Sequence, residues 1–148
     1  MSLTVSTTAA TTAAIAASGA IELRNAAAPL NAVSHILWGD TAARQNDISA
    51  RYTALGTAIN AAAMASWCVL HHVIFRPDRR RADLAPALAR GAATAAAAYV
   101  VDYYVVPRRL TPGFEKRLSG RSMFAVYAAL ALGLVLGEQM TRRARQSA

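Results

Sequence analysis

Glu22, His35, Asp40 and Asp102 are the side chains of this 148-residue chain best placed to do chemistry. Glu22 and Asp102 each fall near the end of a long apolar run. A carboxylate inside a membrane helix is unfavourable by about 2.5–3.5 kcal/mol on insertion scales, so such a group faces protein or water and often marks a proton or cation site. If successive apolar runs cross a bilayer in alternation, both carboxylates come to the same end, close to His35 and Asp40 on the segment between the first two runs. A proton or ion site is one reading of these four residues. The plainer reading, favoured on sequence grounds, is structural: Asp102 lies about one and a half helical turns from Pro107 and pairs with Arg24, Arg108 or Arg109 at the headgroup boundary.

The remaining reactive residue types point to little. His71 and His72 are adjacent, about 100° apart on a helix, and cannot chelate one ion as an i,i+4 pair does. They are expected to lie near Arg76, with Glu138 approaching from the last helix, and on the opposite side of the bilayer from His35. No closed ligand set for a metal or haem is visible, and no cofactor is expected. Cys68 is the single cysteine, which excludes an intramolecular disulfide and suits a small buried side chain. No serine has an evident base and orienter, and neither a phosphate-binding glycine loop nor an HExxH pair occurs, so an enzyme is not expected.

The elements that position these residues are four apolar segments, about 3–21, 52–75, 87–106 and 122–140. Arg51 and Arg76 enclose 24 residues without Asp, Glu, Lys or Arg. A helix rising 1.5 Å per residue needs about 20 to cross the hydrocarbon core. The fourth segment is also strong. The first is uncharged but built from Ala, Thr and Ser, and the third carries Arg90 and Asp102 near its ends, so both enter lipid less readily. With 55% hydrophobic residues against the roughly 45–50% of soluble domains, the composition agrees. The expected fold is all-α: a single domain, residues 1–148, forming a four-helix transmembrane bundle with short interfacial helices in the 1–2 and 3–4 loops. The first segment lacks the basic start and Leu-rich centre of a signal peptide and is read as an uncleaved helix.

A net charge of +8 suggests a polyanion partner. The basic residues sit in short links between apolar runs rather than on an exposed domain, which favours anionic lipid over nucleic acid. The sixteen Lys and Arg residues divide equally between the two sides. Both termini are placed inside because the Arg76 to Arg81 cluster and the basic tail flank the most apolar spans.

In the first loop, Leu30, Val33 and Leu37 recur at helical spacing, with Asn31 and His35 on the other side, giving a short interfacial helix from Pro29 to Gly39 with Trp38 at headgroup level. Asp47 is then positioned to cap the second span, and Thr111-Pro112 to start a short helix in the second loop. On the fourth helix Ala129, Gly133 and Gly137 recur every four residues, a small-residue face on which another helix packs closely. Packing within the chain is the simpler use of that face, dimerisation the other. Tyr103, Tyr104 and Trp38 read as an aromatic belt.

Pro29 to His35, Leu37-Trp38-Gly39-Asp40, Arg51-Tyr52-Thr53, Pro107 and Leu110 to Glu115 together resemble an uncharacterised family of small bacterial inner-membrane proteins, over most of the chain from about Glu22 onward. The order of a carboxylate ending the first span, a histidine on the second and a proline-containing loop before the fourth is loosely similar to the YagU family. That family's histidine on the third span is replaced by Asp102. The resemblance implies four spans and no particular activity. The leading functional expectation is a non-enzymatic accessory or self-associating protein of the bacterial inner membrane, a homo-oligomer or part of a larger membrane complex. A small transporter or proton- or ion-conducting unit is the alternative.

Overall fold

The computed structural model describes residues 3–76 and 83–146, and every regular element in them is helical. Helix α1 (Leu3–Leu23) is followed by three short helices, α2 (Ala27–Val33), α3 (His35–Trp38) and α4 (Asp40–Ala43), then by α5 (Leu55–Phe75), α6 (Leu84–Val100) and α7 (Gly120–Gln146). Five-residue π-helical turns precede α5 at Ala50–Ala54 and extend α6 at Val101–Val105. The basic run Arg79 to Arg81, on which the orientation partly rests, lies outside the described residues.

Three helical stretches are long and apolar enough to cross a membrane: Ala50–Phe75, Leu84–Val105 and Gly120–Thr141. At most 33% of the most apolar window of any of them is buried, so large side chains such as Val69, Val73, Phe124, Leu132 and Leu136 point outward. That distribution suits a hydrocarbon solvent. The first expected span, α1, is not among the three, because Ala, Thr and Ser supply most of its length.

What α1 has instead is a polar, small-residue face that packs. Ser6, Thr7, Thr11, Ile15, Ser18 and Gly19 are its buried positions, repeating at close to four residues. The Thr7 and Thr11 hydroxyls bond back to the carbonyls of Leu3 and Thr7 at 2.8 and 3.0 Å, which hides their polarity. This face lies antiparallel on α7. A side chain at Gly133 would strike the Thr7 backbone, and one at Gly137 would strike Ser6 and Leu3; Ser6 Oγ donates to the Gly133 carbonyl over 3.1 Å. The small-residue face of α7 is thus filled by α1 of the same chain. Such close approach is how helices associate where no hydrophobic effect drives them together.

The bundle has two ends. At the loop end Glu22, Asp102 and Ser122 terminate or begin their helices, and α2, α3, α4 and the 107–119 loop cover them. His71, Arg90 and Glu138 lie at the tail end. One apolar cluster, including Ile15, Leu30, Val33, Phe114 and Val126, fills the loop end. A second, with Met64, Cys68, Ala98, Leu130 and Leu134, fills the tail half.

The loops differ from expectation in detail. All seven residues of α2 are buried, so this helix is tucked into the end of the bundle rather than lying with one face in an interface. Two glycines admit it: a Cβ at Gly56 would collide with the Leu30 carbonyl, and one at Gly113 with the Ala32 carbonyl and the His35 ring. The helix expected from Pro29 to Gly39 breaks at Ser34 into α2 and α3, and Leu37 is exposed. Ser49, not Asp47, caps the second span: its Oγ accepts from Tyr52 N–H at 3.1 Å, and its own N–H donates to Thr53 Oγ1 at 3.0 Å. Thr111 starts no helix, the next turn, Phe114–Lys116, beginning after Gly113. Its hydroxyl lies 2.7 Å from Glu115 Oε1, and the chain turns at Gly113 with φ of 93°.

Candidate functional site

The four residues singled out in the sequence do not form one cluster. Glu22, exposed at the end of α1, accepts from Ser119 N–H at 2.9 Å and from the Ser119 and Ser122 hydroxyls at 2.5 and 2.6 Å. These bonds, Ser119's first, hold its carboxyl below its ordinary value. A carboxylate at the start of α7 also suits the helix dipole. Asp40 pairs with Lys116 Nζ at 2.5 Å, and that bond and charge hold its carboxyl low as well. Both carboxylates clip the first loop region to the second. His35 is 3% exposed, with Nδ1 3.1 Å from the Ala32 carbonyl and Nε2 buried without a hydrogen-bond partner among the described residues.

The same clipping uses several polar side chains of the first loop and the start of the second span. Asn31, fully buried, donates to the carbonyls of Gln45 and Asp47 at 3.1 Å each and accepts from Thr53 Oγ1 at 2.6 Å. Trp38 Nε1 donates to the Arg51 carbonyl at 3.1 Å, and the Arg51 guanidinium stacks 4.4 Å over the indole. Arg117 donates to the Ala43 carbonyl and to Asn46 Oδ1 at 2.9 and 2.8 Å. Together they lock the loop end.

Asp102 stands apart from that layer. The π-helical turn Val101–Val105, closed by Val106 N–H donating to the Val101 carbonyl at 3.0 Å, carries it, and such turns often occur at functional sites. Its Oδ2 accepts from the Tyr127 hydroxyl at 2.7 Å. No basic side chain among the described residues pairs with it, so the expected partners Arg24, Arg108 and Arg109 are replaced by a phenol on α7. Tyr99, Tyr103 and Tyr127 pack ring against ring around it, with centroids 5.0–6.2 Å apart.

Asp102 and Tyr127 form one wall of a cavity of about 80 Å³. Residues of both apolar clusters line it, Val33, Phe114 and Val126 from one and Met64 and Leu130 from the other. Met64, Phe114 and Leu130 contribute apolar walls, and Asn60 and Thr11 the other polar side. Asn60 is itself held by α1, its Nδ2 donating to Thr12 Oγ1 at 3.1 Å. The mid-helix amide thus finds the neighbouring polar group that its position demanded.

A second polar cluster occupies the tail end. His71 lies against Glu138, with Arg90 and Thr94 completing the group. His72, one residue on, is exposed, so the two histidines separate as adjacent helical residues must. Among the described residues no three His, Cys, Asp or Glu side chains gather as a metal set. The approach of Glu138 to the histidine pair is legible in the sequence, and Arg90 stands out near a span end, but Thr94 and Tyr127 do not. An uncharged residue in an apolar helix gives no local sign that it will meet an ionisable one.

Compared with known proteins, the chain matches no family model, no curated protein and no solved structure.

Proposed function

We propose that this chain is a four-span integral membrane protein of the bacterial inner membrane, not an enzyme, that binds and passes a small cation through the cavity at Asp102. The observation that carries the reading is a half-buried carboxylate in an apolar helix end, with one phenol donor, no basic partner among the described residues, and a cavity of about 80 Å³ before it. A water needs about 10–15 Å³ of such volume, so this space holds several waters, or one small cation with part of its shell. Asp102 supplies the charge, while Asn60 and Thr11 supply oxygens opposite. In this reading α1 is the fourth span, carried through lipid by its contact with α7 rather than by its own hydropathy.

Self-association through Ala129, Gly133 and Gly137 loses support, because α1 occupies the face of Gly133 and Gly137. Anionic lipid remains the favoured surface partner, given the net charge of +8 and the Arg51–Trp38 stack at the loop end.

Cation binding is tested by thermal unfolding in mild detergent with sodium or methylammonium chloride against choline chloride at equal ionic strength. A ligand that binds only the folded state raises the midpoint with concentration. The reading expects such a rise in the wild type and none in Asp102→Asn. Equal responses in both proteins contradict it.

A further inference from the structure

The tail-end cluster has hydrogen-bonding logic of its own. His71 is 1% exposed and both ring nitrogens are engaged: Nδ1 lies 2.7 Å from Thr94 Oγ1, and Nε2 lies 2.7 Å from Glu138 Oε1. Arg90 Nη2 donates to the other carboxylate oxygen, Oε2, over 2.7 Å. Thr94 Oγ1 also lies 3.1 Å from the Arg90 carbonyl.

A hydroxyl has one proton to donate and lone pairs with which to accept. When Thr94 donates to the Arg90 carbonyl, it must receive from Nδ1–H, and a second proton then sits between Nε2 and Oε1. When Thr94 turns its proton toward Nδ1, that nitrogen becomes the acceptor, Nε2–H serves Glu138, and the cluster holds one proton fewer. Every heavy-atom contact is the same in both arrangements.

We infer that His71, Thr94 and Glu138 form a site that takes up and releases one proton at the tail end of the bundle, with the Thr94 hydroxyl as its toggle. Charge balance leaves that proton optional. Arg90 already neutralises Glu138, so the cluster is neutral with one proton on the ring, at Nε2 against the carboxylate, and carries one positive charge with two, the added proton lying on Nδ1 against the Thr94 hydroxyl. Among the described residues, the charged groups facing the ring are Glu138 from α7, directly, and Arg90 from α6, through it. On α5 the neighbouring His72 is exposed, and Phe75 meets the His71 ring at 5.3 Å. Helix α1 brings no ionisable side chain to this end, since Glu22 lies at the other. Arg90, 23% exposed, opens a route for exchange with solvent. The site is independent of the Asp102 cavity, and either stands if the other fails.

The test is nitrogen NMR of the full chain, ¹⁵N-labelled at histidine, in lipid nanodiscs across about pH 5 to 10. His72→Gln, at an exposed position, removes one of three ring signals; of the other two, the His71 ring is the one coupled to Glu138. The expected result is a reversible change of that ring between one-proton and two-proton signatures. Thr94→Val, of the same shape without the hydroxyl, and Glu138→Gln are expected to displace the midpoint by at least one pH unit, about tenfold in proton affinity, while Thr94→Ser keeps it. Constant ring signals across the range overturn the inference, as does a midpoint unchanged in Thr94→Val. The wild-type and Thr94 measurements decide the matter if Glu138→Gln does not fold.

Discussion

Tyr127 donates its phenol proton to Asp102 Oδ2 over 2.7 Å, joining α7 to the π-helical turn after α6. It is the one hydrogen bond from the described residues that this carboxylate receives. Removing it leaves a partly buried anion without its donor, at a cost of about 1–3 kcal/mol. Tyr127→Phe is therefore expected to lower the thermal midpoint in detergent, and to do so while helix content below the transition is unchanged.

Gly113 is a tight point of the loop end. Its φ of 93° disfavours any side chain, and a Cβ would run into the Ala32 carbonyl and His35 Nδ1. Gly113→Ala is expected to destabilise by at least about 1–3 kcal/mol. Because α2 would be pushed from its seat, protease sensitivity should appear first between residues 24 and 50.

Gly133 plays the corresponding part under α1. Gly133→Leu forces a side chain against the Thr7 backbone, an overpacking of about 1–3 kcal/mol or more. With little hydropathy of its own, α1 should then leave the bundle. Amide hydrogen exchange of α1 reads this directly: it is expected to be slow in the parent protein and fast in Gly133→Leu.

Acid should loosen the loop end. Glu22 and Asp40 both have carboxyls held below their ordinary values of 4.5 and 3.8 by bonds to Ser119, Ser122 and Lys116. A carboxyl lowered by folding contributes stability that is fully present above the unfolded value and is lost as pH falls through the folded one. The expected midpoint is therefore flat above about pH 5 and falls below it. Glu22→Gln should flatten part of that acid limb. An unchanged limb in Glu22→Gln and Asp40→Asn together would show that neither clip matters.

Charge-free length made two of the three membrane-length helices, Ala50–Phe75 and Gly120–Thr141, legible as the second and fourth apolar segments, with ends displaced by at most about two residues. The third was legible despite Arg90 and Asp102, because both lie near its ends. What the sequence could not display was partnership across helices. Asp102 is expected on sequence grounds to pair with Arg24, Arg108 or Arg109, yet its donor is Tyr127, on another helix, because the π-helical turn faces α7. Asp47 is an equally good cap on paper, but Ser49 sits one residue before the first turn and has Thr53 to answer it. Asn31 read as the polar side of an interfacial helix; only the burial of α2 turns that side into a threefold clamp. Ala129, Gly133 and Gly137 announced a close approach, but the spacing is silent on whether the visitor is α1 or a second molecule.

The most direct measurement of the central claim is cation flux in liposomes containing anionic lipid, with the purified chain reconstituted and a sodium- or pH-sensitive dye enclosed. Wild-type protein is expected to pass sodium or protons above empty vesicles. Asp102→Asn, inserted to the same level and with the same helix content, should reduce that flux at least about tenfold, equivalent to some 1.4 kcal/mol of barrier. Equal flux through both proteins, or none through either, would contradict a cation path at Asp102.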